Sequence, residues 1–253
     1  MPRYLIKLQY FGKNYCGSQK QNTDPTIQKE LENALRTLIK QEISTIFSGR
    51  TDAGVSAIGQ TAHFDTQEEL KDLEKFRYSL DSILPDDIVA SEIFKVDDDF
   101  HAQMSAKYRH YQYKIRAAKT PSPFDVNVFH VRTELDVNRI NAALKHLAGE
   151  HDFSAFKSTS DNPAKICKIF KAAAQKEGDY ITIDIIGNRF LYNMVRTIVG
   201  TLLEIEQRGL EPQKDMKKVL ESKDRTQAGP TADPIGLTLI EVGYEEYKQK
   251  GKK

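Results

Sequence analysis

The chain has 253 residues, with 37 basic and 36 acidic side chains and 39% hydrophobic residues. This length is sufficient for one large α/β domain or two small ones with a proper apolar core. No apolar run approaches the ~20 residues that a membrane-spanning helix needs, so composition excludes a membrane span. Cys16 and Cys167 have no metal-binding or CxxC spacing, and the N-terminus lacks the apolar block of a signal peptide. These features predict a protein of the reducing cytoplasm.

The first part of the chain predicts a strand, a helix, two strands and a second helix. Residues 4–10 alternate between apolar and polar, which is typical of a half-buried strand. Residues 27–39 place apolar side chains at helical spacing. The segments ISTIFSG and QTAHFDT favour strands, and residues 68–83 favour a helix.

Near residue 107 the same order of elements begins again. A strand at 110–115 is followed by a helix at 136–149, in which Asp136 is the capping candidate and Gly149 the stop. The remaining predicted elements are two strands, a long helix, a short helix and a final strand, at 168–175, 180–186, 190–205, 216–220 and 237–244.

This repeated order predicts an α/β fold of the α+β type, built from two pseudo-duplicated halves. We expect a mainly antiparallel sheet, helices on one face and a central cleft between the halves, where ligands commonly bind. The predicted halves are 1–104 and 105–247, followed by a polar tail at 248–253.

Charge is segregated along the chain although the net charge is only +1. Residues 68–99 are rich in acids, whereas residues 100–124 contain none. The latter segment carries five cations, namely Lys107, Arg109, Lys114, Arg116 and Lys119. Such a cluster is typical of a surface that contacts phosphates, and equally of a strand with solvated polar positions.

The segment GRTDAGVSA at 49–57 places Arg50 and Asp52 among small residues. Taken alone, an Asp-Ala-Gly sequence favours an ordinary turn. Three further segments argue against an ordinary turn, because all four segments occur together in one chain and in a characteristic order. They are FHAQMSAKYRHYQYKI, NRFLYNMVRTIVG and AGPTADPIGLTL.

In this combination the four segments resemble the bacterial tRNA pseudouridine synthase A family, as does YFGKNYCGSQKQ near the N-terminus. The resemblance runs over nearly the whole chain, and GRTDAGV with a downstream Gly-Gln is its strongest signature. It implies an enzyme that isomerises uridine to pseudouridine at tRNA positions 38, 39 and 40 in the anticodon stem-loop. It also implies a homodimer that needs no cofactor or metal.

The resemblance assigns roles to five residues. Asp52 is the nucleophile, since a carboxylate can form a covalent bond and leave again, and the residue types leave open whether it attacks ribose or uracil. Arg196 is its ion-pair partner, because a guanidinium favours the charged carboxylate. Tyr111 stacks on the uracil and is a candidate base for the C5 proton. Arg50 helps to expel the nucleotide from the stem, and Leu237 forms the pocket floor.

Each assignment has a structural alternative. Tyr113 shares a strand face with Tyr111, and core packing explains either tyrosine. Arg196 also fits the solvent face of an amphipathic helix, Arg50 a loop position and Leu237 the core. The candidates for RNA-backbone contacts are Lys107, Arg109, Lys114 and Arg116.

Two positions depart from the family pattern. Ser18 stands where tryptophan is usual and Ser56 where histidine is common. We expect these replacements to change RNA contacts at the rim of the active site. His63 and Asp65 alternate on a strand and suggest a metal pair, but no third ligand is near in sequence, so polar strand positions are favoured.

Two other functions fit parts of the sequence. An RNA-binding module without catalysis would use the same cations. A hydrolase or phosphotransferase with an aspartyl nucleophile would use Asp52, although a phosphate-cradling Gly-rich loop with lysine is missing from the sequence.

Overall fold

The computed structural model describes residues 1–21, 24–159 and 163–247. The predicted polar tail at 248–253 lies outside these residues. The described residues form ten strands: β1 (Arg3–Tyr10), β2 (Ile46–Phe47), β3 (Ser56–Asp65), β4 (Ile88–Val96), β5 (Tyr108–Ala117), β6 (Phe129–Val131), β7 (Gly149–Asp152), β8 (Ile166–Glu177), β9 (Tyr180–Gly187) and β10 (Leu237–Gly243). They also form five α-helices: α1 (Ile27–Ile39), α2 (Leu73–Asp81), α3 (Val137–Leu144), α4 (Met194–Gln207) and α5 (Pro212–Ser222).

The chain divides into two compact units. Unit 1 consists of Met1–Lys107 and Leu239–Glu246, and unit 2 of Tyr108–Thr238 with Tyr247. Most of β10 therefore belongs to unit 1, where it lies beside β3. The predicted halves, divided after residue 104, assigned this last strand to the second half.

Unit 1 is built on a sheet with the strand order β4-β1-β3-β10, in which β2 also pairs with β3. The alternation predicted for β1 is confirmed, since its apolar face is buried, namely Tyr4, Ile6, Leu8 and Tyr10. The helix predicted at 27–39 is confirmed as α1. Its N-cap is Thr26, whose hydroxyl accepts a hydrogen bond from the Lys29 N–H at 3.3 Å. Its buried residues Ile27, Leu31 and Leu35 cover the core.

Unit 2 contains the strand order β5-β9-β8-β7, with β6 beside β5. Helix α3 packs on β8, and α4 and α5 pack against α3. Within the two units the pairs β1–β3, β1–β4, β2–β3, β5–β9, β7–β8 and β8–β9 are antiparallel, and β5–β6 is parallel. The predicted α/β class with a mainly antiparallel sheet is confirmed.

Several element boundaries differ from the prediction. Helix α2 begins only at Leu73, because the Asp72 carboxylate caps it by accepting a hydrogen bond from the Lys75 N–H at 2.9 Å. Helix α4 begins at Met194 instead of residue 190, because Asn193 has a left-handed backbone with φ of 60°. Strands β4, β6 and β7 were not predicted. No helix in the described part of the chain has the length and apolarity that a membrane span requires.

Candidate active site

Asp52 lies on the loop between β2 and β3. The Val55 N–H donates to the Asp52 carbonyl at 3.1 Å, which closes a four-residue turn. Gly54, the third residue of this turn, has a φ of +79°, which a type II turn requires at that position and which glycine adopts without strain. The motif therefore does form a turn.

The chain before this turn is held by a buried network of polar side chains. The hydroxyls of Tyr10 and Thr51 are 2.8 Å apart. The Gln60 amide donates to the Tyr10 oxygen at 3.4 Å and to the Gly49 carbonyl at 3.0 Å, while the Ser48 hydroxyl donates to Gln60 Oε1 at 2.8 Å. Burial raises the pKa of Tyr10 to about 12, so its phenol remains protonated at neutral pH.

Ser18 and Ser56, the two departures from the family pattern, also bind this loop. Ser18 Oγ accepts from the Thr51 N–H at 2.9 Å, and Ser56 Oγ accepts from the Gly12 N–H at 3.0 Å. The side chains are buried, with 0% and 2% exposure. Neither side chain reaches the surface, and the expected change in RNA contacts at the rim stays a prediction.

Exposure changes sharply along this loop. Thr51 and Val55 are buried, whereas Asp52 is half-buried and Arg50 is exposed. The network therefore fixes the backbone and lets two side chains of opposite charge extend outward. This arrangement suits a carboxylate that must meet a large substrate without moving.

In unit 2 the two tyrosines on one face of β5 have different environments. Tyr113 is fully buried, and its hydroxyl donates to the Asp233 carbonyl at 2.8 Å. Tyr111 is half-buried, and its ring meets Phe190 edge to face at 5.1 Å. Tyr113 therefore lies within the core, whereas the ring of Tyr111 is partly open to solvent.

Arg196 lies in the first turn of α4 and is anchored at two atoms of its guanidinium. Nε donates to the Ala232 carbonyl at 2.8 Å, and Nη1 donates to Asn193 Oδ1 at 2.9 Å. The Asn193 amide in turn donates to Ser158 Oγ at 3.0 Å. Burial raises the pKa of Tyr113, and the positive charge of Arg196 opposes that rise, so the two side chains are electrostatic neighbours.

Two of the signature segments, NMVRTIVG and AGPT, pack directly on each other. A Cβ on Gly200 would lie 1.7 Å from the Pro230 carbonyl oxygen, so no larger residue fits without displacement. The Gly229 N–H donates to Thr201 Oγ1 at 2.9 Å. Glycine at position 200 therefore permits the close packing of these two segments. This contact places the first turn of α4, with Arg196, against residues 228–232.

Leu237 is 5% exposed and begins β10 after a short helical turn at Pro234–Gly236. The structure describes it as a buried apolar residue of unit 2, which fits both the pocket floor and the core.

The four candidate RNA-binding cations have different surroundings. Arg116 is half-buried and donates to the Thr120 carbonyl at 2.8 Å, and it lies 3.4 Å from the carboxylates of Asp125 and Asp179. Lys114 is half-buried, with its ammonium 4.9 Å from the centroid of the Tyr180 ring.

Arg109 and Lys107 lie at the start of the same segment. Arg109 donates to the Asn188 carbonyl at 2.9 Å. Lys107 is exposed, 3.8 Å from the Glu246 carboxylate. Arg116 thus contacts one backbone carbonyl and two carboxylates of the fold.

The suggested metal pair has structural partners instead. His63 Nδ1 accepts from the Ala102 N–H at 3.1 Å, and both Asp65 oxygens accept from Arg3, at 2.7 and 2.9 Å. Burial lowers the pKa of His63 to about 4, so the ring is neutral at pH 7. Among the described residues, no group of three or more His, Cys, Asp or Glu could hold a metal ion.

Sequence reasoning missed three residues that shape the candidate site. Tyr10 was assigned only to the core, because its alternation gives no sign of what its hydroxyl contacts. Gln60 was noted within the signature but without a role. Asn193 precedes an apolar helix and so occupies a capping position, but its side chain makes no capping hydrogen bond and instead accepts from Arg196.

A sequence profile of the tRNA pseudouridine synthase family matches residues 7–104 and 143–245. Tyr111 and the four cations lie between the two matched ranges. The chain is 39% identical over 254 residues to tRNA pseudouridine synthase A of Francisella tularensis subsp. novicida, covering 99% of this chain and 97% of that protein. It is 38% identical over 246 residues to tRNA pseudouridine synthase A of Colwellia psychrerythraea, covering 96% of this chain and 94% of that protein.

Among solved structures, a chain of the Cbf5-Nop10-Gar1 complex has a TM-score of 0.40 at 9% identity, over 94% of this chain and 49% of that one, which is too distant to bear on function. The profile match and the near full-length identities together decide the family. This chain belongs to the tRNA pseudouridine synthase family and is an isomerase.

Proposed function

We propose that this tRNA pseudouridine synthase acts on uridines 38, 39 and 40 of the anticodon stem-loop, through a covalent intermediate on Asp52. In the net reaction the bond from ribose C1′ to uracil N1 breaks, and a bond from C1′ to C5 forms. C5 loses its proton and N1 gains one, so the product is an isomer of the substrate. The proposed reaction is redox-neutral, and the family resemblance implies that it needs no cofactor or metal.

The observation that carries the proposal is the position of Asp52 within its loop. Thr51 before it and Val55 after it are buried and hydrogen-bonded, while its own side chain is half-buried. A nucleophile must be held at a fixed distance from the atom that it attacks, since near-attack geometry provides much of the rate. The Asp52 carboxylate forms one covalent bond, to ribose or to the uracil ring. On ribose it displaces N1 from C1′ and leaves when C5 joins C1′, whereas on the ring it leaves in a separate step after the C1′–C5 bond has formed.

Tyr111 is proposed to stack on the target uracil and to take the C5 proton in the last step. Its half-buried ring, with its edge against Phe190, supports this choice over the fully buried Tyr113. The apolar Leu237 is proposed as the floor of the pocket, on the strength of the resemblance.

Two arginines complete the proposed machinery. By resemblance, Arg196 is the ion-pair partner that keeps Asp52 anionic, and its two anchoring hydrogen bonds support a fixed position for its charge. Arg50, which is exposed beside Asp52, is proposed to help expel the nucleotide from the stacked stem.

The RNA backbone is proposed to contact Lys107, Arg109 and Lys114 more than Arg116, whose guanidinium is bound by carboxylates of the fold. Contacts of this kind weaken as salt rises, because phosphate binding releases counterions.

We also propose that the enzyme is a homodimer in the cytoplasm, as the family resemblance implies. Light scattering across a range of protein concentrations tests the oligomeric state, and a mass of one chain at every concentration would contradict it.

The test of the target positions uses tRNA transcripts labelled with tritium at C5 of every uridine. Each isomerised uridine releases one tritium, so we expect release equal to the number of uridines at positions 38–40. A matched transcript with cytidine at these three positions should release none. Full release from that transcript would refute the site. An RNA-binding module without catalysis would release no tritium from either transcript.

A further inference from the structure

We propose that Ser18 and Ser56 are positioning residues for Asp52, two buried hydroxyls that fix the loop on either side of the carboxylate. This inference rests on the proposed function, in which Asp52 is the nucleophile. Neither serine touches the substrate, because both are buried.

Ser18 holds the residue directly before Asp52 through a reciprocal pair of hydrogen bonds. The Thr51 N–H donates to Ser18 Oγ at 2.9 Å, and the Ser18 N–H donates to the Thr51 carbonyl at 3.1 Å. Ser18 is fully buried and Thr51 is 6% exposed, so water cannot easily replace the hydroxyl. Without Ser18 Oγ, the buried Thr51 N–H would lose its acceptor, and the loop would have to move to regain one.

Ser56 holds the chain after Asp52. Its hydroxyl accepts from the Gly12 N–H at 3.0 Å, and two residues earlier the Gly54 N–H donates to the Tyr15 carbonyl at 3.3 Å. Residues 12–18 thus bind the loop at both ends. Asp52 lies between the two attachments.

This attachment matters for catalysis because the carboxylate of Asp52 is only two rotatable bonds from the backbone. Its position follows the backbone closely, and a displacement of about 1 Å at a reacting group can cost roughly 100-fold in rate. A shifted carboxylate still permits tRNA binding, which depends on separate phosphate contacts. The loss of either serine should therefore lower kcat with little change in KM.

The positioning role proposed for Ser18 depends on a residue at which this chain departs from the family pattern. Where tryptophan is usual in the family, Ser18 supplies an acceptor, whereas an indole N–H can only donate and could not accept from Thr51.

The experiment measures tritium release from C5-labelled tRNA by the full-length wild type, Ser18→Ala, Ser56→Ala and Ser91→Ala. Ser91 is the matched control, because its hydroxyl donates to the Lys7 carbonyl at 3.2 Å, in unit 1 but on β4. We expect kcat to fall roughly 10- to 100-fold for Ser18→Ala and Ser56→Ala, with KM within about twofold of wild type. Ser91→Ala should keep wild-type kcat. Ser18→Cys, which keeps a weak acceptor at the γ position, should recover part of the rate.

Urea unfolding of each variant separates positioning from folding. If Ser18→Ala is unfolded under assay conditions, Ser18→Cys and Ser56→Ala decide the question by their kcat values. Wild-type kcat in both, a loss confined to KM, or an equal loss in Ser91→Ala would overturn the proposal. Asp52→Asn, measured in the same assay, separates this inference from the proposed function on which it rests. Full activity of Asp52→Asn refutes the nucleophile, whereas its inactivity beside fully active serine variants refutes only the positioning role.

Discussion

The loop of Asp52 in unit 1 and the first turn of α4 in unit 2 both present charged side chains, but they are held in opposite ways. The loop depends on hydrogen bonds between buried polar side chains, such as those of Tyr10, Ser18 and Gln60. The helix turn depends on close packing, because Gly200 lets α4 touch the backbone at Pro230.

This difference determines which changes each region tolerates. A buried hydrogen-bond network fails when one atom is removed, since the remaining partners stay desolvated and unpaired. A tightly packed contact fails when one atom is added, since protein interiors have little spare volume. The first two predictions below add an atom at the packed contact of α4 and remove an atom from the loop network.

The largest effect is expected from adding a methyl group at the packed contact. Gly200→Ala would place a carbon 1.7 Å from the Pro230 oxygen, so α4 or residues 228–232 must move. We expect a loss of about 3 kcal/mol in the free energy of unfolding, measured by urea denaturation. Gln207→Ala, at the exposed last residue of the same helix, is the control and should be neutral. Equal stability of the two variants would show that the close contact is unimportant.

Removing one atom from the loop network should have the next largest effect. Tyr10→Phe keeps the ring and deletes the oxygen that lies 2.8 Å from Thr51 Oγ1 and accepts from Gln60. We expect a loss of about 1–2 kcal/mol in unfolding free energy, with a lower kcat for tritium release. Thr66→Val, at the far end of β3, deletes a buried hydroxyl without touching the loop, and its kcat should remain that of wild type. Unchanged kcat in Tyr10→Phe would argue against the network.

A third prediction concerns His63, which lies on β3 with Gln60, and the loss of folding stability at low pH. The folded pKa of His63 is lowered to about 4 by burial, then by the charges of Arg3 and His101. Below its ordinary pKa of about 6.5 the unfolded chain therefore binds a proton that the folded chain does not. The contribution of His63 to stability is complete above pH 6.5 and declines as the pH falls toward 4.

His63→Asn should weaken this dependence, because an amide oxygen can accept from the Ala102 N–H without titrating. Urea midpoints at pH 7.5 and pH 4.5 measure the effect in both proteins. An identical pH dependence in both would exclude His63 as its source.

The smallest effects are expected from two neighbouring cations of β5. Lys114→Gln should weaken tRNA binding a few-fold and reduce its salt slope by about 1, with stability unchanged. Arg116→Gln should instead lower stability by about 1 kcal/mol, because its guanidinium contacts Thr120, Asp125 and Asp179. Binding titrations at several salt concentrations and urea unfolding distinguish the two. The reverse pattern would reassign the RNA contact to Arg116.

The sequence predicts elements well where burial follows a single period. The alternation of β1 and the helical stripe of α1 have that regularity, and both elements were found as predicted. Strand β4 was missed because a bulge near Ser91 shifts its register, so that its buried residues Ile88, Ala90 and Ile93 do not keep a spacing of two.

The loop network could not be predicted for a related reason. Tyr10, Ser18, Ser48 and Gln60 come from separate segments of the chain, and polar contacts between distant segments leave no periodic signal. Family resemblance identified Asp52 and treated Ser18 and Ser56 as rim residues. Only their burial revealed that they support the loop.

The most direct test of the central claim is tritium release from C5-labelled tRNA by Asp52→Asn under single-turnover conditions. Asp86→Asn, an exposed aspartate of unit 1, is the matched control for the loss of one carboxylate. We predict no release above background for Asp52→Asn and a wild-type rate for Asp86→Asn, with tRNA binding retained by both. Release by Asp52→Asn at the wild-type rate would show that its carboxylate is not the nucleophile.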